Sequence, residues 1–340
     1  MRTTTAVIVV SLFFVSTHAY AETSCQSHPY PISIPAGYNP DKWVSGQRPG
    51  DLQIKFEGYT SVFFGPNFQL TEPPAAAHLA HPYWVAQEVR RFKRDGDFAE
   101  PDGFERPSPW YELPQLSFLG NQTGVTVRAV DKSYAGEADV WNRGHMATRH
   151  LVNRISPEAG CNSHTFANAV PQFWSMNQGE WLALENTVGA LANKFSKAWH
   201  ISGPVYYPNV PVETIGQAGE VKVAIPHALF KVMVYVTHGQ TNVRAFLFPQ
   251  PSYKKIKSIM AANGNKKPSM GYRNCQSTNQ DSYDFHPFVS SLSDIEKLTK
   301  IKLFPSVQPT QKQSLDEMSS RALWKVEARF FDERCGSDPN

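Results

Sequence analysis

The apolar residues of this chain recur with two different periods. Tyr83–Val89 (YWVAQEV) mixes β-formers with polar positions, and Gly124–Val130 (GVTVRAV) alternates at every second residue. Both patterns predict strands. Val, Ile, Phe and Tyr are also dense at 221–225, 229–237 and 243–248, which predicts three more. From Asn177 the period changes: Trp181, Leu184, Val188, Leu191 and Phe195 recur three or four residues apart. That spacing draws one apolar stripe along a helix. Helices are also predicted over 294–300 and 315–324. Residues 22–75, which include Pro73-Pro74, predict an irregular lead-in, and 90–120 a polar connection. The fold class these elements imply is α+β.

Composition narrows this picture only slightly. Twenty-six prolines and twenty-one glycines in 340 residues argue against a helical bundle. A net charge of +3 permits a polyanionic partner without requiring one. Arg2, the apolar run Ala6–Ser16 and the small-residue end Ala19-Tyr20-Ala21 predict a cleaved signal peptide over 1–21. The run is shorter than the roughly 20 residues that span a bilayer. The expectation is therefore a secreted or periplasmic protein with no membrane contact after cleavage. Cys25, Cys161, Cys275 and Cys335 form no CxxC pair. Four cysteines in an exported chain allow three disulfide pairings. The pairing expected is Cys25–Cys161 with Cys275–Cys335.

Candidate chemistry concentrates in two blocks. The first is Asn142-Arg143-Gly144-His145-Met146-Ala147, and the second runs from Asn168 through Pro171-Gln172 to Asn177, Trp181 and Glu185. Arginine grips phosphate through parallel N–H bonds. Histidine takes a proton from water near neutral pH. Magnesium prefers oxygen ligands and retains most of its waters, so an amide oxygen and an outer carboxylate suffice to hold it. Taken alone, each residue has a plainer reading. His145 fits a core histidine, Glu185 the solvated edge of a helix, and Asn177 with Glu180 a helix N-cap and its capping partner.

The two blocks together resemble the DNA/RNA non-specific endonucleases, the ββα-metal nucleases. The resemblance extends over Trp84-Val85-Ala86, Ser202-Gly203-Pro204, Phe230-Lys231-Val232 and 294–299, roughly 80–305 in all. It implies an endonuclease domain over 76–306 followed by a tail over 307–340. It implies His145 as general base and Arg143 on the scissile phosphate, with Glu185 as a further catalytic group. Asn177 would be the sole direct metal ligand, Glu185 would reach the ion through water, and Asn168 would support the site. The ion implied is Mg2+, with Mn2+ as a substitute, and the substrate DNA or RNA. The family also uses a second phosphate-binding arginine upstream, for which Arg91 and Arg94 are the expected candidates beside Arg90 and Arg106. One departure stands out, Asn142 where the family pattern has aspartate. It keeps a second reading open, a nuclease-like binding module with weak or no catalysis.

Overall fold

Most of the strand-forming runs pair into one antiparallel sheet in the computed structural model. The structure describes residues 36–65, 79–92, 113–119, 128–138, 140–262 and 283–331, with single positions at 25, 34, 107, 110 and 111. The strands are β1 (Val44–Ser45), β2 (Leu52–Phe56), β3 (Tyr59–Phe63), β4 (Pro82–Arg90), β5 (Trp141–His145), β6 (Ala169–Phe173), β7 (Lys197–Val205), β8 (Thr214–Ile215), β9 (Val223–Ala224), β10 (Ala228–Thr237), β11 (Gln240–Pro249), β12 (Val289–Ser290) and β13 (Lys302–Leu303). The helices are α1 (Arg128–Ala135), α2 (Arg149–Val152), α3 (Pro157–Asn162), α4 (Trp174–Gln178), α5 (Glu180–Phe195), α6 (Tyr253–Ala262), α7 (Leu292–Thr299) and α8 (Pro309–Ser319). The main sheet has seven strands in the order β12-β11-β10-β7-β4-β3-β2, and β5 pairs with β6 as a separate hairpin. The fold is α+β, and the succession of hairpin and α5 is the ββα unit.

Alternation along the strands divides the interior into two cores. On β10, Leu229, Met233 and Tyr235 join the core beneath α5. Ala228, Phe230, Val232 and Val234 face the other core, with Leu292 and Ile295 of α7 and Leu315 of α8. The predicted stripe on α5 buries Trp181, Leu184, Val188 and Leu191, and Phe195 stacks on Tyr235 at 4.3 Å. No helix among the described residues is long and apolar enough to cross a membrane.

Several expectations change. The lead-in is not irregular: β2 and β3 extend the main sheet from β4, and β1 pairs with β13. Burial of Ile54, Phe56, Tyr59, Val62 and Phe63 supplies the reason. Of the strand expected at 124–130, residues 124–127 lie outside the described residues, and 128–130 open α1. Val130 and Tyr134, four apart and both buried, give that segment a helical apolar edge. The last helix is displaced to Pro309–Ser319, where proline occupies a first-turn position that needs no N–H donor. The strand expected over 221–225 contracts to two residues. The Cys25–Cys161 disulfide is present, with Cα atoms 5.5 Å apart. The pairing of Cys275 with Cys335 lies outside the described residues.

On its α5 face the sheet carries polar side chains where apolar ones would be cheaper. Gln87, His200, Ser202 and Lys231 are all fully buried. They are register neighbours, Gln87 beside His200 and Ser202 beside Lys231. His200 lies 2.7 Å from Gln87 Oε1 through Nε2 and 3.1 Å from Ser202 Oγ through Nδ1. Gln87 Oε1 can only accept, so Nε2 of His200 carries a proton. Burial, with Lys231 and His150 nearby, holds the His200 imidazole well below the ordinary histidine pKa.

The folded state therefore keeps His200 neutral under conditions where the unfolded chain protonates it. The resulting stability is complete above the ordinary pKa of about 6.5 and is lost as pH falls below it. Urea denaturation from about pH 7 to about pH 5 should show falling stability, with up to ~1.4 kcal/mol per pH unit from this residue. His200→Gln, which keeps a donor toward Gln87, should flatten that slope. Equal slopes in the two proteins would remove His200 as the cause.

Candidate active site

The site begins with the β5–β6 hairpin. In its antiparallel register Asn142 lies opposite Gln172, Gly144 opposite Val170 and His145 opposite Ala169. Alternation turns Arg143 and His145 to one face and Asn142 to the other. The contacts agree with this. Trp110 meets both Arg143, 5.6 Å from the guanidinium carbon, and His145, at 4.8 Å between ring centroids. His164 meets the His145 ring edge-on at 5.1 Å. Arg143 is half-buried, with Nη2 2.9 Å from Asp131 Oδ1 of α1. Gly144 makes the hairpin possible, because a Cβ there would lie 2.1 Å from Gln172 Oε1 and 2.5 Å from Gln172 Cβ.

Beyond His145 the chain is clamped from two sides. Asn168 accepts from Ala147 N at 2.7 Å, and its Nδ2 donates to Ala147 O and Ser163 O, each at 2.9 Å. Gln87 Oε1 accepts from Thr148 N at 2.8 Å. The main-chain groups just past His145 are thus held by two buried amides, one from the second block and one from the central sheet.

The helical side approaches both ends of this segment. Asn177 lies in α4, and the helix breaks at Gly179 and restarts as α5. Asn177 therefore caps nothing, and its side chain turns to the hairpin, where Nδ2 donates to Asn142 Oδ1 at 3.0 Å. Two turns later Glu185 is almost buried, with Thr148, Trp181 and Lys231 against its carboxylate. Lys231 Nζ is 3.8 Å from Glu185 Oε1 and 4.0 Å from the centre of the Trp181 ring. Burial pushes the Glu185 carboxyl up, opposed chiefly by the Lys231 charge. Burial likewise brings the Lys231 ammonium down to about 8, opposed by Glu185. The two charges keep each other in the interior.

Among the described residues, no three His, Cys, Asp or Glu side chains gather into a metal cage. The oxygen groups that remain suit a sparser arrangement. With its Nδ2 committed to Asn142, the Asn177 amide offers Oδ1, and the Glu185 carboxylate follows on the same helical pair. This hard, oxygen-only set fits a divalent ion that keeps most of its waters.

Arg91 is not brought to this group. It is exposed at the end of β4, its Nη2 donating to Lys194 O at the far end of α5. A helix rises 1.5 Å per residue, so Lys194 lies roughly 21 Å along α5 from its first residue, Glu180. Arg94 and Arg106 lie outside the described residues. Sequence reasoning missed Trp110, Asp131 and His164, which no motif or spacing marked. Lys231 did carry a signal, a lone lysine within the apolar strand ALFKVMVYVT.

The chain belongs to the DNA/RNA non-specific endonuclease family, whose model matches residues 76–310. Among curated relatives, Nuclease EXOG, mitochondrial, of Homo sapiens is 26% identical over 67% of this chain and 54% of the relative. The Danio rerio protein of the same name is 26% identical over 71% of this chain and 61% of the relative. The chain thus spans little more than half the length of these relatives. A solved structure, the EndoG/EndoGI complex, matches with a TM-score of 0.47 and 15% identity over 76% of this chain and 88% of that one. The names of the relatives overturn the expected secreted or periplasmic location, since the Homo sapiens, Danio rerio, Xenopus laevis and Mus musculus proteins are all mitochondrial. The expectation rested on Arg2, the apolar run Ala6–Ser16 and Ala19-Tyr20-Ala21.

The Gly144 contact yields a direct test. Gly144→Ala forces a methyl group against the fully buried Gln172, and overpacking of this kind costs about 1–3 kcal/mol. Thermal unfolding should shift down accordingly. An unchanged melting temperature would show that the hairpin relaxes freely there.

Proposed function

We propose that this chain is a divalent-metal-dependent endonuclease. It hydrolyses phosphodiester bonds of DNA, RNA or both, with Mg2+ as the working ion and Mn2+ able to replace it. The observation that carries this reading is the double attachment of the second block to the first: Asn177 bonded to Asn142 on one side of Arg143 and His145, and Asn168 bonded to the main chain of Ala147 on the other. Family membership supports the reaction class.

In this reading Asn177 Oδ1 holds the ion directly and Glu185 belongs to its outer surroundings. The bound ion would supply Lewis-acid neutralisation of charge building on the phosphate. Arg143 binds a non-bridging phosphate oxygen, exchanging part of its contact with Asp131. His145 accepts a proton from the attacking water as oxygen bonds to phosphorus. The bond from phosphorus to the 3′ oxygen breaks, and that oxygen takes a proton from solvent, leaving a 5′-phosphate and a 3′-hydroxyl. Trp110 and His164 limit the tilt of the His145 ring, and Asn168 fixes the backbone beyond it. No base-reading element is proposed, so recognition rests on the phosphate backbone and weakens as salt rises.

Plasmid nicking with metal titration tests the roles separately. His145→Ala should lower the rate about 10²–10⁴-fold at every metal concentration, the usual contribution of a general base. Asn177→Ala should shift the metal requirement upward, so that added Mg2+ restores part of the rate. Full activity in His145→Ala, or unchanged cutting by the parent protein in excess chelator, would sink the mechanism. Binding of DNA without any nicking would return the binding-module reading.

A further inference from the structure

Position 142 departs from the family pattern, and its surroundings give that departure a role. Asn142 turns toward α4, away from the face shared by Arg143 and His145. Its Oδ1 accepts from Asn177 Nδ2 at 3.0 Å and lies 3.5 Å from Gln178 Nε2. An asparagine side chain can present either its oxygen or its NH2 group in a given direction, and only the oxygen ligates a cation. Asn142 presents its oxygen to two amide donors at once, Asn177 Nδ2 and Gln178 Nε2, and this shared arrangement fixes the sense of the pair. Once Asn142 Oδ1 holds Nδ2, the Asn177 oxygen is not engaged in that bond and is left to a cation.

The missing negative charge at 142 has a substitute elsewhere. Asp131 on α1 lies 2.9 Å from Arg143, so the arginine does not depend on a carboxylate from the preceding residue. Strand alternation also keeps the Asn142 side chain on the opposite face from Arg143. Position 142 is thereby available to serve Asn177.

Resting on the proposed nuclease reading, we propose that Asn142 is a positioning residue that locks the Asn177 amide with its oxygen toward the cation. Asp131 meanwhile supplies the charge contact of Arg143. Asn142 has no role in proton transfer. Its effect is on how often the Asn177 oxygen is correctly presented, and so on metal affinity rather than on the rate once metal is bound.

The test is calorimetric titration of the metal-free protein with Mn2+, paired with nicking measured across the same Mn2+ range. Four proteins are compared: the parent, Asn142→Ala, Asn142→Asp and Asn177→Ala. Loss of an outer partner of a ligand lowers metal affinity about 10-fold or more. Asn142→Ala should therefore bind Mn2+ about 10-fold more weakly and regain most of the parent rate at saturating Mn2+. Asn142→Asp, which still accepts from Asn177 Nδ2, should bind Mn2+ at least as tightly as the parent. Should Asn142→Ala bind like the parent while Asn177→Ala does not, the positioning role is overturned and the nuclease reading stands. A rate loss in Asn142→Ala that saturating Mn2+ leaves unrepaired also overturns it, because the residue would then act on the chemistry. If the parent protein binds no Mn2+ at all, both readings fall together.

Discussion

A polar side chain sealed from water must find its hydrogen bonds within the protein, and the buried seam of Gln87, His200, Ser202 and Lys231 imposes that condition on the sheet face beneath α5. Gln87 meets it partly through the main chain of Thr148, and the Lys231 ammonium is offset by the Glu185 carboxylate as an ion pair at 3.8 Å. Both partners belong to the candidate site or adjoin it. The sheet therefore does more than supply an apolar floor: satisfying its polar seam sets the position of the segment after His145 and of the middle of α5. Breaking such a buried charge pair at one end leaves the other charge uncompensated, which typically costs about 3–5 kcal/mol.

The hairpin adds a second constraint, a division of labour between its faces. Arg143 and His145 share the face lined by Trp110, packed against its ring while both remain partly open to solvent. Asn142 turns the other way and engages Asn177. Gly144 separates the two groups and allows the close approach of Gln172. Residues adjacent in sequence thus serve different tasks because a strand presents them in opposite directions. Charge is distributed in the same manner, with Asp131 on the arginine side and the Glu185–Lys231 pair on the helix side.

Much of this was legible in the sequence. The mix of β-formers in Tyr83–Val89 marked β4, the dense Val, Ile, Phe and Tyr at 229–237 and 243–248 marked β10 and β11, and the three- and four-residue spacing marked α5. The order of Arg143, His145, Asn177 and Glu185 limited the chemistry before any geometry was known, because few reactions need a phosphate grip, a base and an oxygen-only cation site together. What misled were short or shared patterns: Gly124–Val130 alternates like a strand, yet its described part, 128–130, opens a helix, and the lead-in held strands too short to stand out.

The sequence by itself determined the element types of the long periodic segments, the family and the inventory of reactive groups. These are properties of local spacing and residue chemistry. Tertiary structure alone decided that Asn177 is not a helix cap, that Arg91 lies at the opposite end of α5, and that Asp131, Trp110 and Lys231 surround the motif residues. Each of those facts depends on contacts between segments far apart in the chain. The pairing of β4 with β7 and the placement of the hairpin against α4 create such contacts, and no local pattern encodes which distant side chain will satisfy a buried polar group.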